Sequence, residues 1–272
     1  GNLVHLVPVD DVLARDLIDA TRISRLMAGY RDRAAVDLGS VVDVIVATAR
    51  LAVDHPAIVG TDINPLLVDE NGVIALDARI EIAPERIDWP APNPTLAVRP
   101  YPAGWEKSEN LAGQAFQIRP IMPADAELYP RFLARVTPED MRLRFLVPTR
   151  TLSAETLVRL SQLDYDRDIA FVSLDPAAEL AGIVRYNADP DGETAEFGLL
   201  VRSDLQGLGL GTILMQTLIS YARANGLKRL VGSVLRENRN MLDIAARMGF
   251  KPAPGATIDD IVEVRLDLDG SI

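Results

Sequence analysis

Two patterned regions, each mixing helical and strand periodicity, flank a stretch in which the apolar period disappears. In the first region, residues 3–8 read as a short strand. Asp10 or Asp11 can then cap a helix carrying Val12, Leu13, Leu17, Ile18 and Ile23, running towards Met27 and closed by Gly29. A second helix is expected over residues 38–53. Its apolar positions, Val41, Val42, Val44, Ile45, Val46 and Leu51, wrap much of the circumference and imply burial on more than one side. Residues 58–63 and 66–68 read as strands, and 73–82 as a returning strand. Asp69, Glu70, Asn71 and Gly72 form the hairpin turn, with glycine where positive φ is easiest.

The second region opens with a strand over 116–120, stopped by Pro120. Helical spacing follows over 125–134 through Ala126, Leu128, Phe132 and Leu133. Another short helix has Pro138 in its first turn, and a third is capped at Ser153 and carries Leu157, Leu160 and Leu163. Strands are expected at 169–174, 180–186 and 194–201, the last two joined by a turn at Asp189, Pro190, Asp191 and Gly192. A helix over 212–224, a strand over 229–235, a helix over 240–248 ended by Gly249 and a strand over 262–268 complete an α+β plan with a mixed central sheet. Between the two regions, residues 83–113 hold Pro84, Pro90, Pro92, Pro94, Pro100 and Pro102 and both tryptophans, Trp89 and Trp105. That density excludes a helix or a central strand and predicts an extended, semi-rigid linker. The expected division is 1–90, a linker over 91–113, and 114–272.

Composition narrows the chemistry. At 272 residues and 48% apolar, the chain can bury real cores. With no cysteine there are no disulfides, thiolate zinc sites or cysteine nucleophiles. The two histidines, His5 and His55, both lie in the first region, so a site in the second works without imidazole. A formal net charge of −11 argues against non-specific binding to nucleic acid or an anionic membrane. No apolar run of membrane-spanning length and no signal-like opening is present, and a soluble, cytoplasmic protein is expected.

The stretch that concentrates function is Gln206, Gly207, Leu208, Gly209, Leu210, Gly211 and Thr212, set between the strand at 194–201 and the following helix. Glycines permit a tight turn and close approach by a ligand, and the first amides of the helix have no intrahelical acceptor. A strand-to-helix turn of this kind can cradle an anion. It lacks the G-x-G-x-x-G spacing of a dinucleotide site and the lysine of a nucleotide P-loop. The pattern Gln206-x-x-Gly209-x-Gly211 at such a junction resembles the acetyl-CoA pyrophosphate loop of the GCN5-related N-acetyltransferases. Arg119, Pro120 and Asp125 resemble that family's opening R-P-x-x-x-x-D, and Asn238, Asn240 and residues 245–250 resemble its N…LYxxxGF segment. The likeness covers about 114–268 and implies a GCN5-related fold. It also implies acetyl-CoA as cosubstrate, Asn240 near the coenzyme, and the amides of Leu199, Leu200 and Val201 near the thioester carbonyl. Ala245 stands where the family commonly has the tyrosine that protonates the departing thiolate. A CoA thiol, with a pKa of about 8.5 by analogy with cysteine, can leave as the anion instead. An acceptor lysine needs a base, and Glu196, on the strand just before the loop, is the best placed; Glu193 ranks below it.

The first region has its own resemblance. Asp62, Asn64, Pro65, Asn71, Gly72, Asp77 and Arg79 are similar to the end of an ATP-grasp domain of the succinyl-CoA synthetase beta-subunit type. In that family an asparagine and an aspartate on neighbouring strands hold Mg²⁺, and Asn64 and Asp77 match them. The lysine, flap and adenine pocket of that family lie upstream of the matching residues, so Asn64 and Asp77 are expected to be vestigial, with no occupied metal site. The combination resembles the bacterial Pat-type protein lysine acetyltransferases, supported by Leu163, Asp164, Tyr165, Asp166 and Arg167 and by residues 96–102. That likeness implies direct acetyl transfer to a lysine of a protein such as an AMP-forming acyl-CoA synthetase, with no metal required. Asp164, Asp166, Asp168, Asp189, Asp191 and Glu193 could form an acidic rim that steers a lysine-bearing loop. Two other readings stand beside it: a fragment of an ADP-forming acyl-CoA synthetase using Mg-ATP, and a non-catalytic acyl-CoA sensor.

Overall fold

The computed structural model describes residues 7–29, 34–146, 153–161, 163–258 and 260–268. They form two compact units, residues 1–100 and 101–272.

In the first unit, Asp10 accepts from the Leu13 amide and starts α1 (Asp11–Asp19). The helix expected to reach Met27 stops at Ala20, because the Thr21 hydroxyl and amide both turn back to the Ile18 carbonyl. A separate turn, α2 (Ser24–Met27), follows. Asp37 caps α3 (Leu38–Asp54), taking hydrogen bonds from the Ser40 amide and hydroxyl. Val41 and Val42 pack with Ala14 and Ile18. Strands β1 (Ile58–Ile63), β2 (Leu66–Asp69), β3 (Gly72–Ala75) and β4 (Ala78–Ile82) complete the unit. The single returning strand expected over 73–82 is two strands. The chain leaves its β2 partner after Ala75 and pairs with β1 from Ala78 onward. The residues of the first expected strand that fall at 3–6 lie outside the described residues, as does His5.

The second unit is built on an eight-stranded sheet. Its strands are β5 (Lys107–Leu111), β6 (Gln114–Pro120), β7 (Asp168–Leu174), β8 (Leu180–Ala188), β9 (Thr194–Val201), β10 (Arg229–Leu235), β11 (Lys251–Ile258) and β12 (Ile261–Asp267), in the order β11-β12-β10-β9-β8-β7-β6-β5. The sheet confirms the mixed α+β plan: β9 and β10 are parallel and every other pair is antiparallel. Helix α7 (Leu210–Ala224) covers one face, with Leu214, Met215 and Leu218 buried against Phe171, Val184 and Leu230. On the opposite face lie α4 (Tyr129–Leu133), α5 (Pro138–Phe145) and α6 (Ala154–Ser161), where Tyr129, Phe132 and Leu157 meet Ala170, Val172 and Ile183. Helix α8 (Arg239–Arg247) follows β10.

Two strands escaped the sequence pattern, and both are tied to proline. β5 lies in the stretch assigned to the linker, so the second compact unit begins at Tyr101 rather than at 114. β11 contains Pro252 and Pro254. It sits at the sheet edge and its register slips between Pro252 and Thr257, which is where missing amide protons are tolerated. The Arg119…Asp125 motif closes a structural clamp. Both nitrogens of the buried Arg119 fork donate to Asp125 at 2.8 and 2.7 Å, and the Met122 amide donates to the same carboxylate at 2.8 Å. Among the described residues no helix is long and apolar enough to cross a membrane.

Candidate active site

A fork in the sheet creates the site. β9 and β10 pair at Thr194, Ala195 and Glu196 with Arg229, Leu230 and Val231, and at no later position. At the next rung the Phe197 ring lies over Gly232, in space that any β-carbon there would occupy, and packs edge-on against Phe250 at 5.1 Å between centroids. Beyond that rung the strands part around a cleft of about 360 Å³. Leu199, Leu200 and Val201 line one side, Ser233 and Val234 the other, and the loop before α7 closes the end.

That loop is held from behind. Arg202 is buried at 4% exposure, bonded to Asp175 at 2.9 Å and to both oxygens of Asp204. The Ser203 hydroxyl donates to Asp140 on α5 and accepts from the Thr137 amide at 2.8 Å. Although burial opposes it, hydrogen bonds from Ser203, Thr137 and Gln206 hold the Asp140 carboxyl below its ordinary value. The loop itself turns at Gly207 (φ 81°) and Gly209 (φ 90°), conformations that favour glycine. Gly211 serves closeness instead, since a β-carbon there would stand 3.3 Å from Leu199.

The start of α7 is unlike its counterparts. Among the described helices of eight residues or more, α1, α3, α5, α6 and α8 each have a side-chain cap, from Asp10, Asp37, Thr137, Ser153 and Asn238. The fifteen-residue α7 begins at Gly209, which has no side chain to offer. Its first amides and the positive end of its dipole therefore face the cleft uncapped, an arrangement suited to a diphosphate.

The structure brings most of the sequence candidates to this cleft. Gln206, Gly207, Gly209, Leu210, Gly211, Thr212 and Asn240 all line it together with Leu199, Leu200 and Val201. Leu208 does not; it projects from the loop at 36% exposure. Asn238 is occupied in capping α8. Glu196 does not line the cleft: it is exposed, immediately before the first cleft-lining residue of β9 and at the last paired rung of the fork. Glu193 ion-pairs with Lys228 at the closed end. Ala245 is buried in the core at 1% exposure, so the position of the family tyrosine offers the cleft no acid. The proposed acidic rim is partly engaged in turns: Asp164 accepts from the amides of residues 166–168, and Asp191 from that of Glu193. Asp140 and Arg144 are among the cleft residues that carry no local signal in the sequence. Both reach it from α5, far upstream of β9. Asn64 and Asp77 in the first unit are both exposed, joined by a backbone bond of 3.1 Å. Among the described residues no group of three or more His, Cys, Asp or Glu side chains converges on a metal position.

A fork between parallel strands that opens on an uncapped helix is the architecture of an acyl-CoA-dependent acetyltransferase, and comparison with known proteins agrees. The acetyltransferase (GNAT) family matches residues 139–250 and the ATP-grasp domain family residues 2–82. The chain belongs to the GNAT family of acetyltransferases, with an ATP-grasp-like region before the GNAT fold. It is similar to an acetyltransferase of Pseudomonas aeruginosa, 34% identical over 141 residues that make up 51% of this chain and 76% of that one. It is also related to the Pat-type proteins. It is 33% identical to Acetyltransferase Pat of Mycolicibacterium smegmatis over 146 residues, which are 50% of this chain and 41% of that protein. The crystal structure of the GNAT domain of S. lividans PAT matches with a TM-score of 0.58 at 28% identity, covering 62% of this chain and 99% of that one.

Proposed function

We propose that this chain transfers an acetyl group from acetyl-CoA directly to the side-chain amine of a protein lysine, with an AMP-forming acyl-CoA synthetase as the target class. The observation that carries the reading is the union of the fork and the uncapped α7 in one cleft. The α7 amides, Gln206 and the glycine turns suit the diphosphate of CoA, and the parted strands suit its amide-bearing arm. Bound there, acetyl-CoA supplies an activated thioester. In this reading the cleft-lining stretch Leu199, Leu200 and Val201 supplies a backbone amide that polarises its carbonyl, and Asn240 on α8 flanks the coenzyme.

Glu196 is the proposed base. A lysine amine with a pKa of about 10.4 is neutral in roughly one molecule in 2,500 at pH 7, a deficit of about 4.6 kcal/mol. An exposed carboxylate on the last paired rung, where the fork begins, takes that proton directly or through a water. With Ala245 buried, the thiol leaves as its anion and is protonated by solvent. No metal takes part. The relationship to Pat-type proteins supports a protein acceptor. The test is acetylation of an AMP-forming acetyl-CoA synthetase, read by mass spectrometry of its active-site lysine. Glu196→Gln is expected to lower kcat about 10²–10³-fold with unchanged acetyl-CoA affinity. An unchanged kcat removes Glu196 from the role.

A further inference from the structure

One face of the fork carries two arginines, Arg144 and Arg185, that form no ion pair with any carboxylate among the described residues. β8 and β9 pair Arg185 with Gly198, and Asn187 with Glu196, so these side chains share one face of the sheet. Arg144 reaches the same place from α5. A β-carbon at Gly198 would overlap its guanidinium, which therefore rests on bare strand backbone. Both arginines line a second, smaller pocket with Tyr129, Phe132, Leu160 and Leu200. Arg144 lines the main cleft as well, and so stands between the two spaces.

Several other arginines of this unit are answered: Arg119, Arg131, Arg135, Arg142, Arg202, Arg229 and Arg265 each hold a carboxylate. Among the described residues Arg144 and Arg185 form no ion pair and donate no hydrogen bond. Their mutual repulsion is costly, and burial together with Arg185 drives the Arg144 pKa down, with Glu196 as the opposing charge. Two like charges over one glycine, with only the Glu196 charge to oppose them, leave an excess positive charge suited to a second anion.

We propose that Arg144 and Arg185 bind a carboxylate carried by the acceptor itself, seated over Gly198 while its amine reaches Glu196. Those two strand positions lie about 7 Å apart. The inference rests on the acyl-transfer reading above and names its acceptor class, an amine with a carboxylate a few bonds away. The carboxylate comes either from an acidic residue flanking a protein lysine or from the α-carboxylate of a free amino acid.

The experiment compares acceptors that differ in one group, using the whole chain and acetyl-CoA. Lysine peptides flanked by Glu or by Gln form one arm, and L-amino acids with their α-amides form the other. The carboxylate member of a pair is expected to show kcat/KM about tenfold or more higher, mostly through KM. The arm that shows the preference identifies the source. In Arg185→Gln the preference falls to about one while calorimetric acetyl-CoA affinity stays unchanged, and Arg185→Lys restores part of it. Equal kcat/KM within both pairs overturns the proposal and leaves acyl transfer standing. Binding without turnover is read by NMR titration of Nε-acetyl-lysyl-glutamate against Nε-acetyl-lysyl-glutamine. A preference for the glutamate dipeptide that Arg185→Gln abolishes supports the site even if no acceptor is acetylated, in which case the transfer reading alone falls. Equal binding of the two dipeptides in that case overturns the site as well.

Discussion

The contact between Phe197 and Gly232 at the base of the fork can be measured directly. Gly232→Ala places a methyl group inside the space of the Phe197 ring, which is itself 7% exposed and packed on Phe250. The ring has to move, and overpacking of this kind costs about 1–3 kcal/mol. Phe197→Ala removes a buried ring and costs about 3–5 kcal/mol. In the double variant the new methyl enters space the ring has vacated, so the combined loss falls short of the sum by about 1–2 kcal/mol. Urea unfolding of the four proteins, monitored by fluorescence of Trp105 against Tyr221 (centroids 5.1 Å apart), yields the cycle. For a unit of this size the Gly232→Ala loss corresponds to a fall in Tm of roughly 2–12 °C. A cycle that closes additively would show that ring and glycine do not share the space, and the account of why the fork begins there would fail.

Three further outcomes are expected. Asp125→Asn leaves Arg119 buried without its counter-charge and lowers stability by about 3–5 kcal/mol in the same unfolding experiment. Gly209→Val forces a branched side chain into a φ of 90° at the start of α7, and weakens acetyl-CoA binding at least about tenfold by calorimetry with kcat at saturation less affected. Asp204 is held below its ordinary carboxyl value of 3.8 chiefly by its hydrogen bond from Arg202. A depressed carboxyl contributes stability that is complete above the unfolded value and is lost as pH falls through the folded one. Tm therefore declines on acidification below about pH 4, and Asp204→Asn makes that decline shallower.

Strands at 58–63, 194–201 and 229–235 could be read to the residue, because turn residues bound short apolar runs with few competing patterns. Helix α7 was displaced by only a turn's half, since its start is set by Gly209, whose conformation leaves no trace in apolar spacing. The edges were hidden by chemistry: proline reads as a breaker whether or not the strand needs its amide, and β11 does not need it at Pro252. In the cleft, the loop and Asn240 were legible because local residue types carry them. Arg144 and Asp140 were not. They belong to a short helix whose relation to β9 exists only after the sheet is folded. Nor could spacing reveal that Ala245 faces the core, or that Asp164 and Asp191 serve their own turns.

The parting of β9 and β10 also makes an exposed edge in the middle of a sheet. From Phe197 onward, β9 presents to the cleft peptide groups that no strand among the described residues completes. Proteins usually shield such edges, because they invite pairing with foreign strands. In the function proposed above, a ligand rich in amides would complete the ladder, so that the coenzyme would act as a removable length of strand. Occupancy then matters for solubility as well as for turnover. Chain freed of CoA is expected to self-associate on gentle warming, and coenzyme at a hundred times its Kd would add about 2.7 kcal/mol to the folded state.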